Sequence, residues 1–134
     1  MRMYLLLFLS ILSLGCGSSN GVQLGTVVGT VHYLDEPIPD GKIIFEVPGS
    51  RPAVGQIVHG EIVDVTTYEV GDGVPVGEAK IAIFGFDPKN DGDQGYMDMN
   101  RKSIIPTHYN NPSTSELVCT IKPEQNELEF ELTK

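Results

Sequence analysis

From Gly25 to the last residue the chain never repeats its apolar residues at the helical period. Short runs rich in β-branched side chains alternate with polar ones and stop at clusters of Gly, Pro, Asp and Asn. That pattern predicts an all-β domain. The expected strands are Thr26–Leu34, Lys42–Val47, Ala53–Val58, Glu61–Thr67, Glu78–Phe86, Glu116–Lys122 and Glu127–Thr133, and seven strands imply a β-sandwich. The last run is the clearest. Leu128, Phe130 and Leu132 point to one face and Glu127, Glu129 and Glu131 to the other, as in a strand with one solvated side, and the glutamates also discourage pairing at a sheet edge.

The breaks between runs have their own chemistry. In Asp35-Glu36-Pro37-Ile38-Pro39-Asp40-Gly41 the prolines fix φ and remove ladder donors while Gly41 admits a positive φ, so the first strand has to end and reverse. The stretch Glu69–Gly77, with three glycines and a proline, is expected to be a turn without regular structure. Pro88–Arg101 is polar, contains glycine and is long for a hairpin, so it is the expected mobile loop.

The amino terminus reads differently. Arg2 precedes the apolar run Met3–Leu14, which is shorter than the about 20 residues a bilayer-spanning helix needs and suits the hydrophobic region of a secretory signal. Gly15, Cys16 and a polar stretch from Gly17 to Gly21 follow. Ser13-Leu14-Gly15-Cys16 resembles the lipobox of bacterial lipoproteins, with Ser13 where the usual box has an aliphatic residue. The resemblance implies cleavage before Cys16, a diacylglyceryl thioether on its sulfur and an added acyl chain (palmitate or similar) on its new amino group. At ~0.8 kcal/mol per buried methylene, more than one chain anchors stably. Position 17 is Gly and not Asp, which in the enteric sorting rule favours the outer membrane. The alternative is an ordinary secretory signal with an incidental cysteine. The expected organisation is therefore a signal peptide over 1–15, a flexible tether over 16–24 and one β domain over 25–134, exported and lipid-anchored to the cell envelope, at the outer membrane or periplasmic face and not in the cytoplasm.

Charge and cysteine usage narrow the partners. Eighteen acidic against 9 basic residues give a net charge of -9, and removal of Arg2 with the leader makes it more negative. Such a surface repels nucleic acid, so phosphate-backbone binding is not expected. With Cys16 acylated, Cys119 is the only thiol left and no intramolecular disulfide can form. Alternation in Leu117-Val118-Cys119-Thr120-Ile121 sets Cys119 on the face of Leu117 and Ile121, as a small hydrophobe.

Three segments together resemble the small transthyretin-like, carboxypeptidase regulatory-like domain lipoproteins of bacteria. Val28-Gly29-Thr30-Val31 with Glu36–Phe45 is similar to the family's opening. Thr66-Thr67-Tyr68-Glu69-Val70-Gly71-Asp72-Gly73-Val74-Pro75-Val76-Gly77-Glu78 is similar to its central turn, and Ile105–Leu117 to its tail. Two departures stand out: Asp35 where the family often has Gly, and one extra residue in Gly60–Val65, which a β-bulge near Val63 would absorb. The resemblance implies a prealbumin-like, immunoglobulin-like sandwich of seven strands that serves as an interaction module and not as a catalyst.

The sequence carries no recognisable catalytic motif. No phosphate loop, nucleophile elbow or Cys-x-x-Cys is present, and His32, His59 and His108 lie far apart without a ligand-spaced partner, so no cofactor is expected. Asp87, Asn90, Asp91, Asp93 and Asp98 put five oxygen-bearing side chains in one loop, against the about six to eight oxygens calcium takes. Lys89 sits where an EF-hand loop wants a ligand and Asp98 where it wants its closing Glu, so a solvated acidic loop is the favoured reading. Tyr68, Tyr96, Tyr109 and His108 fall in expected loops, where their rings could stack on a sugar or pack the turns. The chain is therefore expected to be a non-catalytic lipoprotein that contacts the membrane through its anchor and an envelope protein or glycan through its domain. The alternative is a small-ligand or carbohydrate-binding module.

Overall fold

The computed structural model describes residues 21–90 and 101–134. Nine strands form it: β1 Leu24–Tyr33, β2 Glu36–Pro37, β3 Asp40–Glu46, β4 Ala53–Val58, β5 Glu61–Thr66, β6 Val74–Pro75, β7 Gly77–Phe86, β8 Val118–Ile121 and β9 Gln125–Leu132. Short 3-10 turns cover Pro88–Asn90 and Thr107–Asn110, and among the described residues there is no α-helix. Each of the seven anticipated strands is present, with its ends shifted by no more than two residues.

Of the two further strands, β2 is the return arm of the reversal expected at the Pro-rich corner, and β6 corrects the expectation that the Gly-rich stretch has no regular structure. Leu34 and Asp35 both take positive φ, 51 and 66°, which makes a two-residue hairpin and folds Glu36 and Pro37 back on Tyr33 and His32. Val74 and Pro75 pair with Gly25 and Leu24. Proline is tolerated in both because each pairing is a two-residue addition to an end of β1.

The sheet is curled, with strand order β2-β1-β5-β4-β3-β7-β8 and β9 laid along β1. All ladders are antiparallel except β1·β9, which is parallel from Thr26↔Gln125 to Tyr33↔Leu132. Thus β8 and β9 follow one another in sequence but pair with different neighbours, and they form the two edges of the curled sheet. The pairings also fix direction: β1, β4, β7 and β9 run one way, and β3, β5 and β8 the other. All loops are thereby sorted to two ends.

The inner face is a continuous apolar core. In β3, Gly41, Ile43 and Phe45 point in while Lys42, Ile44 and Glu46 point out; in β4, Ala53, Gly55 and Ile57 alternate with Val54, Gln56 and Val58. Val31, Ile43, Phe45, Ile57, Ile81 and Ile83 are wholly inaccessible to solvent. Each large side chain buried in this way contributes roughly 1.5–3 kcal/mol relative to exposure. β9 alternates as the sequence requires, with Phe130 and Leu132 buried and Glu127, Glu129 and Glu131 exposed.

The extra residue of β5 is absorbed by a bulge. Val54 pairs with Thr66 but Gln56 with Val63, so Asp64 and Val65 oppose Gly55 alone, and Asp64 takes φ 53°. A Cβ at Gly55 would come within 2.8 Å of the Val65 side chain, which is why glycine stands opposite the bulge. The irregularity lies next to Val63, the position inferred from the sequence.

Candidate functional site

At the end where β1 begins, the chain arrives through Gly21–Leu24, and the connections 47–52, 67–73 and 122–124 gather around it. At the opposite end lie the Leu34–Asp35 hairpin, the His59–Gly60 hairpin, the last strand's exit at Thr133, and the close of β7 at Phe86. Phe86 forms a bridge with Ser103, so the segment carrying the acidic loop both leaves and rejoins the sheet at this second end.

The first end is ordered by one carboxylate and one amide. Asp72 accepts the backbone N–H groups of Thr67 at 2.7 Å and of Tyr68 and Glu69 at 2.9 Å. Partial burial works against its charge, but the N–H groups of Thr67, Glu69 and Tyr68 outweigh that and hold its pKa below the ordinary aspartate value. Gly73 follows at φ 102°, and any Cβ there would fall on the Gly25 carbonyl. Asn126, buried at the start of β9, accepts from the Lys122 N–H at 3.0 Å, and its amide nitrogen reaches the carbonyl oxygens of Thr26, Lys122 and Glu124. It stitches the turn that joins the two sheet edges. Tyr68 stands on the Asp72-bound turn, 43 % exposed.

The second end is clasped by an ion pair. The Arg101 guanidinium donates to Asp40 Oδ2 at 2.6 Å and lies over the Phe86 ring, 4.4 Å from its centroid. Its side chain is only 6 % exposed, so a charge is held between a carboxylate and an aromatic face at the base of the acidic segment. Asp87 Oδ1 accepts the Lys89 N–H at 2.9 Å, a local turn contact, and Asn90 closes the adjacent 3-10 turn. Of the proposed calcium ligands, Asp91, Asp93 and Asp98 lie outside the described residues, as does Tyr96. Among the described residues no three His, Cys, Asp or Glu side chains stand together as a metal site would require. His32 faces Glu131 at 3.4 Å, while exposed His59 occupies a hairpin tip at φ 50°.

Tyr109 is a core residue. Its ring is 6 % exposed and its hydroxyl accepts the Thr133 N–H at 3.0 Å, tying the Thr107–Asn110 turn to the end of β9. This use closes its face to a stacking ligand in this conformation. His108, exposed, lies against it with ring centroids 4.0 Å apart. Tyr68 therefore belongs to the end where β1 begins, and His108 and Tyr109 to the end where β9 finishes; the fold does not gather them into one site. Cys119 is half-buried on the inner face, and burial pushes its thiol pKa up to about 11. Cys16 lies outside the described residues.

Sequence reasoning missed the Arg101–Asp40 clasp, Asn126 and Ser115, whose hydroxyl donates to the Ile81 carbonyl. The contacts of these residues to Asp40, Thr26 and Ile81 reach across the sequence and leave no local signal. Asp72, in contrast, sits in an Asp-Gly turn whose side-chain-to-backbone bonding its residue type suggests. No family model, curated protein or solved structure matches the chain.

Proposed function

We propose that the chain is a non-catalytic lipoprotein of the cell envelope, held to a membrane through acylated Cys16, whose domain meets an envelope protein or glycan with the end remote from its tether. The observation that carries this reading is the polarity of the fold. The chain arrives at β1 through Leu24 at one end, whereas Phe86 and Ser103, which bracket the acidic segment, meet at the other. A lipid on Cys16 would hold the first end toward the bilayer and turn the second outward. The short apolar run before Cys16 and the Gly/Ser stretch after it support the same reading.

The curled sheet is read here as a two-layered, prealbumin-like sandwich of the transthyretin-like, carboxypeptidase regulatory-like kind. Support comes from the parallel first-to-last strand pairing and from the division of β8 and β9 between different neighbours. Expression in a bacterium fed labelled palmitate tests the anchor. Label should enter the wild-type chain and be lost in Cys16→Ser; an unlabelled wild type, or label that persists in the variant, contradicts the proposal.

A further inference from the structure

The two edges of the sheet differ in what they offer to another strand. In β8, the Ile81 N–H donates to the Leu117 carbonyl at 3.0 Å, which fixes the alternation of the β7·β8 ladder. Leu117, Cys119 and Ile121 turn their backbone groups toward β7, and Val118 and Thr120 turn theirs to the free edge. Among the described residues no strand pairs with that edge. Val118 is 59 % exposed, and Thr120 is exposed beside it. No carboxylate lies within β8 itself; the flanking charges are exposed Glu116 on one side and exposed Lys122 on the other.

This sequence is complementary to itself about its centre. Laid antiparallel against a second β8 with Cys119 opposite Cys119, Val118 faces Thr120 and exchanges both N–H···O=C bonds with it, and the symmetric pair does the same. Leu117 faces Ile121 on the apolar side. Beyond the four paired residues the chain leaves the ladder, with Glu116 at φ 61°, and the exposed Glu116 of each copy lies at the same end of the pairing as the exposed Lys122 of the other. The register thus satisfies the open backbone groups and sets opposite charges at both flanks. A register shifted by one residue would set the strands' inner and outer faces against each other.

We propose that β8 is a self-association edge, through which two copies of this chain join β7–β8 to β8–β7 about a two-fold axis at Cys119. The pairing is isologous and closes on itself, so it yields a dimer and not a filament. Cys119 lies at the non-hydrogen-bonded position of this ladder, where Cα atoms stand about 4.5 Å apart, within the range a disulfide spans. The thiol therefore reports the register.

The test uses the purified full chain, in mild detergent if it partitions there. Sedimentation velocity over a concentration series should show a monomer–dimer equilibrium. Lys122→Glu should abolish the dimer by setting like charges at both flanks, and Glu116→Lys combined with Lys122→Glu should restore it. Alkaline oxidation with copper(II) phenanthroline and dissolved oxygen, which take the two electrons as the thiols lose their protons, should yield a covalent dimer whose peptide map joins Cys119 to Cys119. A monomer at every concentration, a dimer indifferent to Lys122→Glu, or oxidation that leaves Cys119 unlinked in the dimer overturns the proposal. None of these outcomes bears on whether Cys16 is acylated, which the palmitate experiment reads separately.

Discussion

The long edge and the short edge of this sheet solve the same problem in opposite ways. β9 spans eight residues, and the Leu34 N–H bond to the Leu132 carbonyl sets Leu128, Phe130 and Leu132 to bond β1. The backbone groups of Glu127, Glu129 and Glu131 are left facing outward, and those same residues carry exposed carboxylates. β8 spans four residues and sets Val118 and Thr120 at its free positions. A regular eight-residue edge is a strong template for strand addition and is guarded by charge at three of its four open positions, Gln125 being the fourth. The four-residue edge is short enough to be left unguarded, and its flanking charges favour one register of one partner. Edge protection here follows the length of the exposed ladder.

The largest expected effect separates what lies beneath the edges from what lies on them. Leu132→Ala, which empties a site 1 % exposed, should cost about 2–5 kcal/mol in urea unfolding, whereas Val118→Ala should stay within about 0.5 kcal/mol. A comparable loss for both would mean that β8 is packed more deeply than its exposure implies. Next comes the stitch between the edges. Asn126→Ala strands the Lys122 N–H and removes a donor from three carbonyls around it, of which that of Lys122 keeps the Glu124 N–H, and should lower stability by about 1–3 kcal/mol on the same assay.

Replacing Glu127, Glu129 and Glu131 together with Thr should leave the unfolding midpoint of the monomer nearly unchanged but raise light scattering on standing, because the guard is removed from an intact edge. Equal solubility in the triple variant would show that charge is not what protects β9. The smallest effect lies away from both edges. Asp72→Ala should cost about 1 kcal/mol, the scale of a lost side-chain cap on backbone N–H groups. Because the folded pKa of Asp72 is depressed below the ordinary aspartate value of 3.8, its contribution is present above that value and lost as pH falls through the lower folded one. Wild type and Asp72→Ala should therefore converge in stability toward strong acid, which paired unfolding curves at neutral and acid pH would check.

What could be read from the residues alone depended on the range of the interaction. Alternation in β3, β4 and β9 is local, so the inward residues and strand limits follow from it. The two-residue hairpin at Leu34–Asp35 was hidden, because Leu34 is not a usual positive-φ type and the prolines beyond masked the return pairing. Tyr109 was legible as an aromatic in a loop but not as a core residue. Its burial depends on the Thr107–Asn110 turn folding back to meet Thr133, a contact 24 residues away. The Arg101–Asp40 clasp, separated by 61 residues, had no sequence signature at all.

The orientation proposed for the sheet at a membrane rests on the sulfur of residue 16. The most direct measurement is the intact mass and amino-terminal peptide of the chain extracted from bacterial envelope. The expected result is a chain lacking residues 1–15 with acyl groups on Cys16. A chain that retains Met1 and carries a free Cys16 thiol would contradict it.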